Sequence, residues 1–301
     1  MNPLDTDQAP PHLYCQLLDE PDALRRERLW AIGAPALMNA ACTSLRDLLG
    51  KDPAITEPFM PPRHRRLGLY FEDLIAELLQ GSVDELHRNI QCRQEGRTLG
   101  EFDFVYRRQR RWHHLETAVK FYLCTGDGSE LRHFVGPGLR DRLDIKWQRL
   151  QQHQLRLSLN PAGQRTLANL GAIDPVVELL MPGYLFYRLG SGAPKRLHPD
   201  INPSHLRGFW CTLNEFRDLP PQPATRYAVL PKLRWLAPAR LALDDSLEQP
   251  ELLEYLTRQS QPALLSLLQP TADGTEWIER QRGFVVPDNW PERAVSASSE
   301  L

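Results

Sequence analysis

The chain has 301 residues, 42% hydrophobic and 25% charged, with a formal net charge of −2. This is the composition of an ordinary globular protein of one large or two smaller domains: no run approaches the roughly 18 apolar residues of a membrane span, and near-neutrality argues against a nonspecific polyanion binder. Cys15, Cys42, Cys92, Cys124 and Cys211 form no CxxC pair, so neither a zinc site nor a disulfide framework is indicated, and the start MNPLDTDQAPPHLY carries no signal-peptide pattern, so a cytoplasmic location is expected.

In chain order, residues 1 to 18 read as a loose Pro-rich leader. Two helices follow, DEPDALRRERLWAIGAP and APALMNAACTSLRDLLGK, separated by Gly33 and Pro35. KDPAITEPFMPPRH is an extended linker. RRLGLYFEDLIAELLQGS then has helical periodicity, with Leu67, Phe71, Leu74, Ile75 and Leu78 on one stripe and Gly81 as the stop. From Asp84 the period becomes that of strands: ELHRNIQCRQ, TLGEFDFVYRR and RWHHLETAVKFYL, the last two joined by the basic turn RQRR. The loop TGDGSELRHFVGPGLR precedes a helix, DRLDIKWQRLQQHQLRLS, and helical pieces around 163–170 and 174–181 lead to the strand GYLFYRL. Beyond it HLRGFWCTL, RYAVLPKLRWL and WIERQRGFVV read as strands, PELLEYLTRQSQPALLSLL as a helix and SASSEL as a disordered tail. The expected architecture is α/β, with helix, three strands, helix, strand and a mixed sheet between Arg65 and Leu189.

Residues 61–160 hold 17 Lys plus Arg against 13 Asp plus Glu, so this stretch carries +4 and the remainder −6. The excess clusters in RHRR (63–66) and RRQRRWHH (107–114); a solvated turn is the plain reading of the second. Helical spacing places Asp73 and Glu77 away from the apolar stripe and Glu72 at its margin. Strand alternation puts Glu101, Asp103 and Val105 on one face and Phe102, Phe104 and Tyr106 on a buried one, while His114, Glu116, Ala118 and Lys120 share a face opposite Leu115, Thr117, Val119, Phe121 and Leu123. If the two strands pair as a hairpin, Asp103 and Glu116 come within metal-bridging reach, a donor set suited to Mg²⁺ or Mn²⁺. The alternative is a solvated sheet face. Trp210, Trp235, Trp277 and Trp290 read as core residues, and His113 and His114 as the end of a turn.

Glu72 on a helix, then Gly100, Glu101 and Asp103, then a strand with Glu116 and a following lysine, resembles the PD-(D/E)XK nuclease superfamily. More specifically, LRRERLWAIGAPALM, LGLYFEDLIAELL, LGEFDFVYR, HLETAVKFYL, DRLDIKWQRLQQHQL and GFVVPDNWP together resemble a bacterial family known as domain of unknown function 1853. The resemblance implies a restriction-endonuclease-like core over 61–215, preceded by a leader and helical pair over 1–60 and followed by an extension, 216–301, packed on the core. It implies that Asp103 and Glu116 bind the metal, with the carbonyl of Thr117 as third ligand and Glu72 completing the shell. The lysine belongs two residues after the glutamate, where this chain has Ala118. Lys120 lies on the same face but two residues further on, roughly 13 Å from Glu116 along a strand instead of roughly 7 Å. Lys120 is therefore the first candidate for the catalytic ammonium and Lys146 the second, with Glu101, Gln148 and Gln152 as further candidates. Arg107, Arg108, Arg110 and Arg111 are expected to bind nucleic acid.

Two readings follow. One is a metal-dependent nuclease acting on DNA or RNA, with no membrane role. The other is a catalytically inactive nuclease fold that binds nucleic acid or a protein partner.

Overall fold

Helix α1 (Ala23–Gly33) begins where the Asp22 carboxylate accepts a hydrogen bond from the Arg25 backbone N–H at 2.7 Å, satisfying a donor with no intrahelical partner. The computed structural model describes residues 16–39, 42–191, 194, 196–220, 222 and 224–299, so most of the expected leader lies outside the described residues. Buried Trp30 of α1 stacks on Tyr184 with centroids 6.1 Å apart and donates its indole N–H to the Tyr184 hydroxyl. The second expected helix forms only over α2 (Leu45–Leu49), capped by Ser44. Upstream of it, Ala36, Leu37 and Met38 are all buried, and the segment makes isolated bridges instead of a helix, joining Ala36 to Pro182, Met38 to Ile201 and Cys42 to Leu179. The expected amphipathic helix forms as α3 (Leu67–Gln80), with all five stripe residues buried, and Glu77 pairs with Arg28 of α1 at 2.6 Å.

The strands are β1 (Glu85–Gln94), β2 (Arg97–Arg108), β3 (Arg111–Thr117), β4 (Lys120–Cys124), β5 (Phe134–Val135), β6 (Val176–Leu180), β7 (Gly183–Arg188), β8 (Leu206–Thr212), β9 (Arg226–Val229), β10 (Arg240–Ala242), β11 (Ala263–Pro270) and β12 (Glu276–Val286). The later helices are α4 (Leu143–Arg149), α5 (Pro161–Ala168), α6 (Leu213–Arg217), α7 (Gln249–Thr257) and α8 (Trp290–Ser299). The fold is α/β, with two mixed sheets: one in the order β1-β2-β3-β6, the other in the order β5-β4-β7-β8-β12-β11-β9, with β10 also pairing β12.

Several elements differ from expectation for local reasons. Val176 and Val177 are β-branched, and instead of a helix over 174–181 they pair in parallel with His113 and His114. The expected helix over 250–268 stops at Thr257, and Pro262 separates it from strand β11. β9 ends at Val229, ahead of a single 3₁₀ turn over Lys232–Arg234. Ser296–Ser299, expected in a disordered tail, complete α8. Residues after 216 continue the larger sheet, since β8 pairs in parallel with β12.

The segment HLETAVKFYL is not one strand. β3 ends at Thr117 in the smaller sheet and β4 begins at Lys120 in the larger one. Its parallel partner breaks at the same level, between β6 and β7 at Met181 and Pro182, while Ala118 and Lys120 donate to the carbonyls of Leu180 and Pro182 across the break. The strand pair therefore bends as a unit. Gly183 makes this possible, because a Cβ there would stand 1.8 Å from the Lys120 carbonyl oxygen.

Candidate active site

Glu116 is fully buried one residue before the end of β3. The antiparallel register of β2 and β3 pairs Phe104 with Leu115 and Val105 with His114, so its continuation sets Asp103 opposite Glu116, as the hairpin reading expects. Strand alternation does not hold through Asp103. The β1–β2 ladder pairs Arg88 with Phe104 and Ile90 with Phe102, skipping Asn89 and Asp103, and Asn89 has φ +54°. Phe104 and Tyr106 consequently pack in the cluster around α3, whereas Phe102 joins Cys92, Val105 and Leu157 in another. Such irregularities re-aim a side chain. Here the Asp103 carboxylate turns toward β3 and accepts from the Thr117 backbone N–H at 2.9 Å and from its hydroxyl at 3.4 Å. A strand residue projects its N–H and C=O toward the same edge, so the Thr117 carbonyl, the expected third ligand, faces the Asp103 side too.

Burial, followed by the adjacent charge of Glu116, pushes the Asp103 carboxyl up to about 7, against partial relief from the Thr117 N–H. Glu116 is held on both oxygens: Oε1 lies 2.9 Å from Nε2 of His114, itself fully buried, and Oε2 accepts from Nε2 of Gln154 at 2.7 Å. The Gln154 carbonyl in turn accepts from Lys146 Nζ at 3.0 Å. Lys146 is thus linked to Glu116 through one amide. Burial lowers its pKa, the charge of Lys120 lowers it further, and the charges of Asp103 and Glu116 oppose both. Glu72, on α3, has its carboxyl raised by burial; Glu101 adds to that rise and Arg88 opposes it, and the Glu72 charge also reaches Asp103.

Gln154 reaches Glu116 because the helix changes pitch. Residues 150–154 form a π turn after α4, marked by the bond from Leu155 N–H to the Leu150 carbonyl at 2.9 Å. In an unbroken α-helix the residue seven positions after Lys146 shares its face, within about 20°. The π turn inserts one residue, and position 154 takes that place.

Other expected residues are placed elsewhere. Lys120 belongs to the second sheet, so the in-strand spacing to Glu116 does not apply, and its ammonium pairs with Asp141 at 2.6 Å. Gln148 is exposed and donates to Gln152, away from the carboxylates, because both lie on the outer face of the helix. Glu101 is exposed but electrostatically coupled to Glu72. Arg107 pairs with Glu85 at 3.4 Å and lies over the Trp112 ring, while Arg108 donates to the carbonyls of Leu48 and Leu49, closing α2. Arg110 and Arg111 are exposed at the tip of the β2–β3 hairpin, and Arg108 is already roughly 17 Å along the strand from Asp103.

The donor set bears on metal binding. Among the described residues no group of three or more His, Cys, Asp or Glu side chains is gathered closely enough to hold a metal ion. A paired Asp103 and Glu116 fit instead a hard cation that takes one or two carboxylates and completes its shell with water and phosphate. The Oδ1 of Asp103, to which no side chain donates among the described residues, and the burial and adjacent Glu116 charge that lift its pKa fit that role.

These features define an α/β protein with an opposed carboxylate pair, Glu116 buried and Asp103 half-buried, and a lysine joined to it through an amide. The family model described as a domain of unknown function, DUF1853, matches residues 16–286, and the chain belongs to that family. No curated protein and no solved structure matches it. No helix among the described residues is long and apolar enough to cross a membrane.

Proposed function

We propose that this chain is a metal-dependent nuclease of the PD-(D/E)XK type, hydrolysing phosphodiesters of DNA or RNA with Mg²⁺ or Mn²⁺, and that its restriction-endonuclease-like core spans residues 61–215. The observation that carries the reading is the connected set Asp103, Glu116, Gln154 and Lys146, in which two opposed carboxylates and one half-buried ammonium converge. The lysine that Ala118 lacks is supplied from α4. A bound Mg²⁺ would provide Lewis-acid charge against the phosphate. Asp103 and Glu116 would hold it, and His114 and Gln154 keep Glu116 oriented. Lys146 supplies a positive charge where negative charge develops on the phosphate oxygens, and its desolvated setting strengthens that interaction.

A specific observation favours a second reading, a nuclease fold without catalysis that binds nucleic acid or a protein partner. Both Glu116 oxygens are already engaged by protein groups. Purified protein with Mn²⁺, incubated with single- and double-stranded DNA and RNA, separates the two. Cleavage that is lost in Asp103→Asn and Glu116→Gln supports the enzyme; intact substrates in all four cases, with binding that survives both substitutions, support the module.

A further inference from the structure

A cleft of about 830 Å³ opens beside this network, between the start of α3, the start of β4, the 136–141 loop and α8, and its walls carry Arg65, Arg66, Lys120, Arg140, Lys232 and Arg293. Among the described lining residues the only carboxylate is Asp141, which Lys120 neutralises at 2.6 Å. Arg65, Arg66, Arg140 and Arg293 have no ion-pair partner among the described residues, and the Lys232 ammonium stands over the Trp235 ring at 5.7 Å. Five uncompensated cations around one concavity repel each other, in a chain whose net charge is −2. Such a concentration of field has a physical use if an anion enters. The first turn of α3 adds to it: Arg66 at the N-cap makes no side-chain cap, and the free N–H groups of that turn lie beside Leu67 and Gly68 in the cleft wall.

We infer that this cleft binds the phosphates of a single-stranded nucleic acid and leads the strand to the Asp103–Glu116 pair. The inference rests on the nuclease reading for its second half, and it replaces the hairpin arginines as the binding surface. Two observations set the direction and the substrate form. Val119 and Lys120 of the cleft wall follow directly on the end of β3, which carries Glu116 and Thr117, and the Lys120 charge is felt at Lys146, which is bonded to Glu116 through Gln154, so the cleft adjoins the carboxylate network. The volume is that of a site for a small ligand or a short piece of one strand. Positive grooves of this kind track one strand through its backbone.

The test is anisotropy of a fluorescein-labelled dT oligonucleotide in EDTA, so that binding is read without cleavage. Gly68→Asp is the central variant. A Cβ at Gly68 meets nothing within 4 Å, and an acidic residue in the first helical turn favours the helix, so the fold is retained while the cleft gains a negative charge. We expect the wild type to bind the single strand more tightly than the same sequence as duplex, and Gly68→Asp and Arg140→Glu/Arg293→Glu to weaken binding about tenfold or more. The slope of log K against log salt should become shallower by about one for each cation removed. Arg110→Ala/Arg111→Ala should leave affinity unchanged. Unaltered affinity in Gly68→Asp with an intact thermal transition overturns the cleft, as does loss of binding in the hairpin variant alone. Full displacement of the oligonucleotide by equimolar pyrophosphate assigns the cleft to free phosphates and overturns the strand. The nuclease reading fails separately: metal-dependent cleavage untouched by cleft variants leaves it standing without the cleft, and cleft-dependent binding without cleavage leaves the cleft standing without the enzyme.

Discussion

Gln154 donates its amide N–H to Glu116 at 2.7 Å while its amide oxygen accepts from Lys146 at 3.0 Å, so one planar group fixes the distance between a buried carboxylate and a half-buried ammonium. Replacing it with leucine removes both bonds and leaves the Glu116 oxygen without its donor. We expect Gln154→Leu to reduce Mn²⁺-dependent cleavage by about 10- to 100-fold, the cost typical of losing a group that orients a metal-binding carboxylate. Gln148→Leu, on the exposed face, should be indistinguishable from wild type. Deleting one residue from 150–153 should instead retain most of the cleavage, because the amide then stands seven positions after Lys146 in a regular α-helix and keeps the same face. Matched rates for Gln154→Leu and Gln148→Leu would remove the amide from the site.

Lys146 and Lys120 make opposite predictions. Lys146 is bonded into the carboxylate network, whereas Lys120 is paired to Asp141 in the cleft wall. Lys146→Met should lower the maximal rate by about 10²- to 10³-fold, the magnitude seen when one preorganised stabiliser of transition-state charge is removed. Lys120→Met should act mainly through substrate affinity and be relieved by higher substrate concentration. Steady-state kinetics on both variants decide; a greater loss of maximal rate in Lys120→Met returns the role to the strand lysine.

The limits of sequence reading at this site are physical. Glu116 and Glu72 are legible because residue type and local periodicity place them, and Asp103 follows from the hairpin register set by the short turn, although the irregularity opposite Asn89 breaks the alternation that the sequence suggests there. The lysine is not, because alternation through HLETAVKFYL assumes one strand, and the break at Ala118–Val119 depends on a partner strand some 60 residues later that bends with it. Gln154 escapes because helical phase is counted at 100° per residue, and a π turn leaves no mark in composition. Local clustering alone points Arg107 and Arg108 toward nucleic acid, while their partners Glu85, Leu48 and Leu49 lie far away in the chain.

Arg282 and Glu279 form a fully buried pair on β12 at 2.6 Å, and Arg282 also donates to the carbonyls of Trp235 and Ala237. These bonds pin the 235–237 segment, whose Trp235 lines the basic cleft. Arg282→Met strands a buried carboxylate and two carbonyls, so we expect a loss of about 3–5 kcal/mol, measured by urea unfolding. Arg282→Lys should recover little, since a single ammonium cannot reproduce the planar fork. A change below about 0.5 kcal/mol, the range of ordinary surface substitutions, would show the pair to be dispensable.

Asp103 supplies a pH dependence whose sign is fixed by its environment. Its ordinary value is 3.8, and in the folded chain it rises to about 7, chiefly through burial and the charge of Glu116. Between those values the folded state holds a proton that the unfolded state has released. Stability from this group is therefore complete below 3.8 and is lost as pH rises through about 7. Asp103→Asn keeps the shape and removes the charge, so its thermal transition should lie above that of wild type at pH 8, with the gap closing toward pH 5. Mn²⁺ should oppose the same penalty, raising the wild-type transition more at pH 8 than at pH 5, where the proton competes with the ion, and raising the Asp103→Asn transition little at either pH. Scanning calorimetry of the two proteins at both pH values, with and without Mn²⁺, measures all of these terms. An Asp103→Asn transition that stays below wild type at pH 8 in the absence of metal would mean that the Thr117 N–H, rather than burial and repulsion from Glu116, dominates the energetics of this carboxylate.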